Sequence, residues 1–101
     1  MLYIHEFLAH GAENAISASE LGEMLNMTKR DIRRAVVRER KDGIVILSDE
    51  GGYYLPSEDN NIARGEVKRW IARRTAEADT IMQTVYKAQE RLQNKASERA
   101  G

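Results

Sequence analysis

ISASELGEMLNMTKRDIRRAVVRERKDGIVILSDEGGYYLP, residues 16–56, carries two helix-start signals eleven residues apart and closes on a hairpin. Ser17 followed by Glu20 is a capping box, with Leu21, Met24 and Leu25 on the apolar side of the helix it opens. Asn26 tolerates the left-handed conformation that ends a helix. Thr28 with Asp31 opens the next helix at once, and this one runs to about Asp42, where Gly43 stops it. Two helices joined by about three residues make a helix-turn-helix candidate. Ile44 to Leu47 is apolar and mostly β-branched, Ser48-Asp49-Glu50-Gly51-Gly52 reads as a turn, and Tyr53-Tyr54-Leu55 returns. Ile16 is placed to add a short third strand.

Working outward, Leu2, Ile4, Phe7 and Leu8 form a stripe at roughly helical spacing, so a first helix is expected there, with Gly11 as its stop. The helix from Thr28 is then the third in the chain. Ile32, Ala35 and Val36 occupy one of its faces. Arg30, Arg33, Arg34, Val37, Arg38 and Lys41 follow the i, i+3, i+4, i+7, i+8, i+11 pattern of the opposite face. One side can pack while the other presents cations. Lys29 adds charge at the N-terminus, where the helix dipole favours an anion; the placement suits an arriving phosphate.

The sequence of helix, helix-turn-helix and hairpin resembles the small winged helix-turn-helix proteins of phages and prophages. The shared features are the Ser-x-x-Glu-Leu start at Ser17–Leu21, the arginines Arg33 and Arg34, the R-x-x-G-I-x-I exit at Arg40–Ile46, and the wing return at Gly52–Tyr54. They span about 40 of 101 residues. The resemblance implies binding of double-stranded DNA, in transcription control or phage replication, and a long helix after the wing. Two features depart from it. Glu39 stands where an apolar residue would close the core, and its carboxylate is expected to pair with Arg40 or a neighbouring base. The wing tip, Ser48-Asp49-Glu50, is acidic, so phosphate repulsion speaks against wing contact.

Pro56, the single proline, divides the chain into an expected winged domain, 1–56, and a long C-terminal helix, 57–101. Ser57 is the expected N-cap. Val67, Ile71, Arg74, Ala78, Ile81, Val85, Ala88 and Leu92 follow a 4-3 spacing, and only Arg74 breaks its apolar character. A helix of ~38 residues is ~57 Å long, well beyond the ~13 Å radius of gyration of a 100-residue domain. Either it folds back, with Gly65 as a possible bend, or its far half finds another chain. Trp70 and Ile71 are expected to pack on the winged domain, and Ile81, Val85, Ala88 and Leu92 to form a homodimer contact.

Charge supports a DNA partner by its distribution. Sixteen basic and sixteen acidic residues cancel, yet residues 29–42 alone hold seven bases against three acids, while residues 1–28 and 43–60 hold only acids. A solvated face is the ordinary reading of a charged helix, but this face lies on the second member of a helix-turn-helix. Arg33, Arg34 and Arg38 are the candidates for base edges, since arginine pairs bidentately with guanine. Lys29, Arg30 and Lys41, at the helix ends, are the candidates for phosphates. Arg64, Lys68, Arg69 and Arg73 form a second cluster, either a solvated flank or further backbone contact.

Other classes find little support. There is no cysteine, hence no disulfide framework or thiolate metal site. His5 and His10, five residues apart, do not share a helix face, and no metal or other cofactor is expected. No nucleophile–base pair or glycine-rich phosphate loop suggests an enzyme or a small-molecule substrate. No apolar run approaches the ~20 residues of a membrane span, and Met1–Glu13, with no Lys or Arg, does not read as a secretory signal. A cytoplasmic protein is expected. The alternative to DNA binding is a winged-helix adaptor that docks a protein partner on its long helix.

Overall fold

A computed structural model describes residues 2–100, with side chains as far as 94. The chain is mainly helical with one small antiparallel sheet, an α+β arrangement. In order it holds 3-10 turns at Ile4–Phe7 and Ala12–Asn14, helices α1 (Ala18–Leu25) and α2 (Lys29–Lys41), strands β1 (Leu47–Asp49) and β2 (Gly52–Tyr54), and helix α3 (Asn60–Ala100). It divides into two units, Met1–Trp70 and Ile71–Gly101.

In the first unit both capping signals act as read. The Ser17 hydroxyl accepts the Glu20 N–H at 3.1 Å, and that of Thr28 accepts the Asp31 N–H at 3.1 Å. Asn26 ends α1 in the left-handed conformation, φ 54° and ψ 49°. Its neighbour Met27 donates its N–H to the Gly22 carbonyl at 2.9 Å. The turn is so tight that a Cβ on Gly22 would run into the Met27 carbonyl oxygen. Gly22→Ala should therefore lower the melting temperature by about 4–8 °C, from roughly 1 kcal/mol of overpacking in a domain of this size. Unchanged thermal unfolding followed by circular dichroism would refute this.

Ile32, Ala35 and Val36 of α2 are buried with Leu21 of α1, Ile4, Leu8 and Ile46. This core explains the first departure from expectation. Residues 2–8 do not form an α-helix. Ile4 and Leu8 are buried, whereas Leu2 and Phe7 remain 43% and 39% exposed. What holds the segment is Glu39. Its side chain is fully buried and accepts the Ile4 N–H at 2.8 Å, the His5 N–H at 3.0 Å and the His5 imidazole Nδ1 at 2.6 Å. A carboxylate can only accept, so Nδ1 carries the proton. Burial pushes the Glu39 carboxyl up. The hydrogen bonds from His5 and Ile4, together with the imidazole charge, outweigh that and hold it below the ordinary value of 4.5.

The expected partner Arg40 reaches in another direction. Its Nε donates to the Ile46 carbonyl at 2.9 Å, its terminal nitrogen donates to the Ser48 hydroxyl, and its guanidinium lies 5.0 Å from the Trp70 ring centroid. The sheet also begins later than expected. Ile44 to Ile46 lie outside it, because the Ile44 N–H returns to the Glu39 carbonyl at the end of α2. Ile46 and Leu47 are both buried. Leu47 pairs with Tyr54, Ser48 with Tyr53 and Asp49 with Gly52.

The free side of the return strand is covered by the N-terminal segment. Ile16 and Tyr53 exchange two hydrogen bonds of 3.0 and 2.8 Å, and Leu55 bonds to Ala9 and Gly11. The anticipated third strand is thus a single bridge at Ile16. Gly52 is required there. Its φ is +123°, and a Cβ would strike the Ile16 carbonyl. Of the tyrosine pair, Tyr54 is buried and Tyr53 half-buried.

The first unit runs past Pro56 to Trp70. Asp59 caps α3 in place of Ser57, its carboxylate accepting the N–H groups of Asn61 at 2.9 Å and Ile62 at 3.1 Å. Glu66 is 3% exposed and accepts the Ala12 N–H at 2.8 Å and the Ser57 N–H at 2.7 Å. It ties the second 3-10 turn and the linker to the helix. Trp70 is half-buried, but Ile71 is 51% exposed; one residue along a helix is a 100° rotation, enough to leave the packed face.

The second unit is helical through Ala100, and the helix passes Gly65 without interruption. Every described side chain from 71 to 94 is exposed. Among the described residues, no helix is long and apolar enough to cross a membrane.

Candidate nucleic-acid interface

Amphipathic spacing gives α2 two opposed faces. Burying Ile32, Ala35, Val36 and Glu39 turns Lys29, Arg30, Arg33, Arg34, Arg38 and Lys41 outward, and all six are exposed. The Thr28 cap fixes where α2 begins, and Asp42 with Gly43, at φ +95°, fixes where it ends. The charges therefore sit on a rigid element of 13 residues. Val37 lies at the centre of the face, 48% exposed. With Arg30, Arg33 and Arg34 it lines a shallow, open depression.

Cations dominate the face, with the exposed Asp31 and Asp42 at its margins. Ion pairs among the described residues join His5 to Glu39, His10 to Glu58 and Arg74 to Glu77. None engages the six outward cations of α2, which therefore outnumber the acids beside them with no direct ion pair. Charged groups arranged this way raise the local concentration of a polyanion. Arg40, the seventh base of the segment, is committed to the hairpin as described and does not belong to the face.

The hairpin tip differs in character. Asp49 accepts the Gly51 N–H at 2.7 Å and so shapes its own turn. Glu50 is exposed. An anionic tip cannot hold a phosphate, which leaves α2 as the cationic element of the α1–α2–hairpin segment.

The remaining sequence-derived groups fall as follows. His10 Nδ1 bonds to the Pro56 carbonyl at 2.8 Å and His5 to Glu39. Both histidines have structural partners. Among the described residues, no three His, Asp or Glu side chains gather as metal ligands. Arg64, Lys68 and Arg69 are exposed on the first turns of α3. In the second unit, Ile81, Val85 and Leu92 are 62%, 38% and 70% exposed, and Ala88 is exposed beside them. Met82 and Tyr86 widen this apolar face, at 43% and 56%.

Sequence reading missed the two buried glutamates as anchors. The partners of Glu66 are two backbone N–H groups, those of Ala12 and Ser57, which any residue supplies. Glu39 was singled out, but its partner lies 34 residues away. No protein-family model matches the chain, and searches of curated proteins and of solved structures find no match.

Proposed function

We propose that this chain is a DNA-binding protein of the winged-helix type. The carrying observation is the outer face of α2, six exposed cations around Val37 without acidic partners, directly opposite a face buried in the core. In this reading α2 enters the major groove. Arg33, Arg34 and Arg38 meet base edges, and Lys29, Arg30 and Lys41 hold phosphates on either side. Two copies join through Ile81, Val85, Ala88 and Leu92, so a repeated or palindromic site is preferred. The role is that of a small transcription regulator or replication factor of phage type, acting in the cytoplasm, where such DNA lies.

Salt tests the reading. Two protomers that each place Lys29, Arg30 and Lys41 on phosphates neutralise about six charges. Affinity for a duplex should then fall about 10³-fold between 50 and 200 mM salt. Fluorescence anisotropy of a labelled mixed-sequence duplex measures this. No binding at the lower salt would favour the adaptor reading, in which the acidic hairpin tip and zero net charge belong to a protein-docking module.

A further inference from the structure

The exposed face of the second unit has a direction. Ile71, Ala78, Val85 and Leu92 repeat every seven residues, and Arg74, Ile81 and Ala88 form the complementary seam. This face rests on the homodimer reading above, and its charges distinguish two ways of pairing the copies. In a parallel pair every seam residue meets its own twin, so Arg74 faces Arg74 across the interface. The flanking contacts set Glu77 against Met82 and Thr84 against Gln89, with no opposite charges.

An antiparallel pair centred between Ile81 and Val85 behaves differently. Ile81 packs on Val85 of the second copy, twice by symmetry. Ala78 meets Ala88, and Arg74 lies along Leu92, where its aliphatic stem covers the larger side chain. On the flank, Glu77 meets Arg91, again twice. Glu77 already lies 3.4 Å from Arg74 of its own chain, with both side chains more than half exposed. The second copy therefore completes an Arg–Glu–Arg cluster at each end of the seam. Sliding the copies by one heptad sets Arg74 against Val85 and loses the Glu77–Arg91 pair.

We infer that residues 71–94 pair antiparallel with a second copy of this chain, with Ile81 on Val85 and Glu77 on Arg91. Charge complementarity selects this arrangement, and an apolar stripe along a wholly exposed helix requires a partner.

The chain has no cysteine, so single cysteines report the pairing directly. Full-length Ala78→Cys and Ala88→Cys variants, differently tagged, would be unfolded together, refolded and oxidised. Disulfides need Cα atoms about 4.4–6.8 Å apart. In the antiparallel pair position 78 lies opposite 88, while 78 and its twin are ten residues apart along the seam, ~15 Å. The mixed Ala78→Cys/Ala88→Cys product should dominate, and neither variant alone should cross-link. Self-cross-linking of Ala78→Cys alone would overturn the antiparallel arrangement in favour of a parallel dimer. A dimer by light scattering with no cross-link in any combination would overturn the proposed face. A strict monomer by light scattering at tens of micromolar would instead refute the homodimer reading itself.

Discussion

Replacing Glu39 with leucine should lower the melting temperature by about 12–24 °C, corresponding to roughly 3 kcal/mol in a domain of this size. The substitution puts an apolar group where sequence pattern expects one, so a naive reading forecasts stabilisation. The opposite follows from the partners. Glu39 receives the N–H groups of Ile4 and His5 and the His5 imidazole, all from the N-terminal turn. Leucine leaves these donors without an acceptor in the core, at about 1–3 kcal/mol for each buried polar group left unmade. It also releases residues 2–8, whose Ile4 and Leu8 close the core. Thermal unfolding by circular dichroism measures the effect, and a loss under about 4 °C would contradict it.

The same carboxylate sets an acid limb. Its folded value is held below the ordinary one, so it contributes stability above the unfolded carboxylate pKa. That contribution is lost as pH falls through the lowered folded value. Glu39→Gln removes the titration while keeping one acceptor. The stability gap between wild type and Glu39→Gln should therefore be widest near neutrality and narrow as pH drops below about 4.3.

The second large effect concerns α2. Arg33→Ala/Arg34→Ala should weaken binding to a selected duplex by about 30- to 10⁴-fold, if each arginine contributes roughly 1–3 kcal/mol as a bidentate base contact. Folding should be untouched, because both side chains are exposed. Arg33→Lys/Arg34→Lys separates charge from geometry. Lysine keeps the attraction to phosphate but lacks the planar fork. That variant should retain salt-dependent binding to mixed-sequence DNA and lose its preference for the selected site. A lysine variant that keeps both affinity and site preference, with loss confined to the alanine variant, would mean that the two positions hold phosphates.

Local signals were legible in the sequence and long-range ones were not. The Ser17 and Thr28 caps, the left-handed Asn26 and the Gly43 stop all act over three or four residues, so spacing alone reveals them. The two faces of α2 follow from a 3.6-residue period, and Ile32, Ala35 and Val36 are buried as read. The first segment misled because its stripe of Leu2, Ile4, Phe7 and Leu8 fits a helix, while Glu39, far along the chain, takes two of its N–H groups. The strand starts late for a similar reason: the Ile44 N–H returns to the Glu39 carbonyl and Ile46 is buried in the core before the ladder begins, while Val45 between them stays exposed. At the start of α3, Ser57 and Asp59 are both good caps; Ser57 instead accepts the Asp59 N–H at 3.1 Å and leaves the helix to the carboxylate. Of the candidate interface, all six cations were legible, because exposure on a helix is set by phase. That Arg40 would leave them for the hairpin was not, since its acceptor is the Ile46 main chain.

The central claim is that the outer face of α2 binds DNA. Its most direct test is an anisotropy titration of one labelled duplex carrying the selected site, from low salt upward, with wild type and Arg33→Ala/Arg34→Ala in parallel and circular dichroism as the check on folding. The account predicts wild-type binding that weakens steeply with salt, and little or none in the folded double variant. Wild-type binding that survives intact in that variant, or no wild-type binding at low salt, would contradict it.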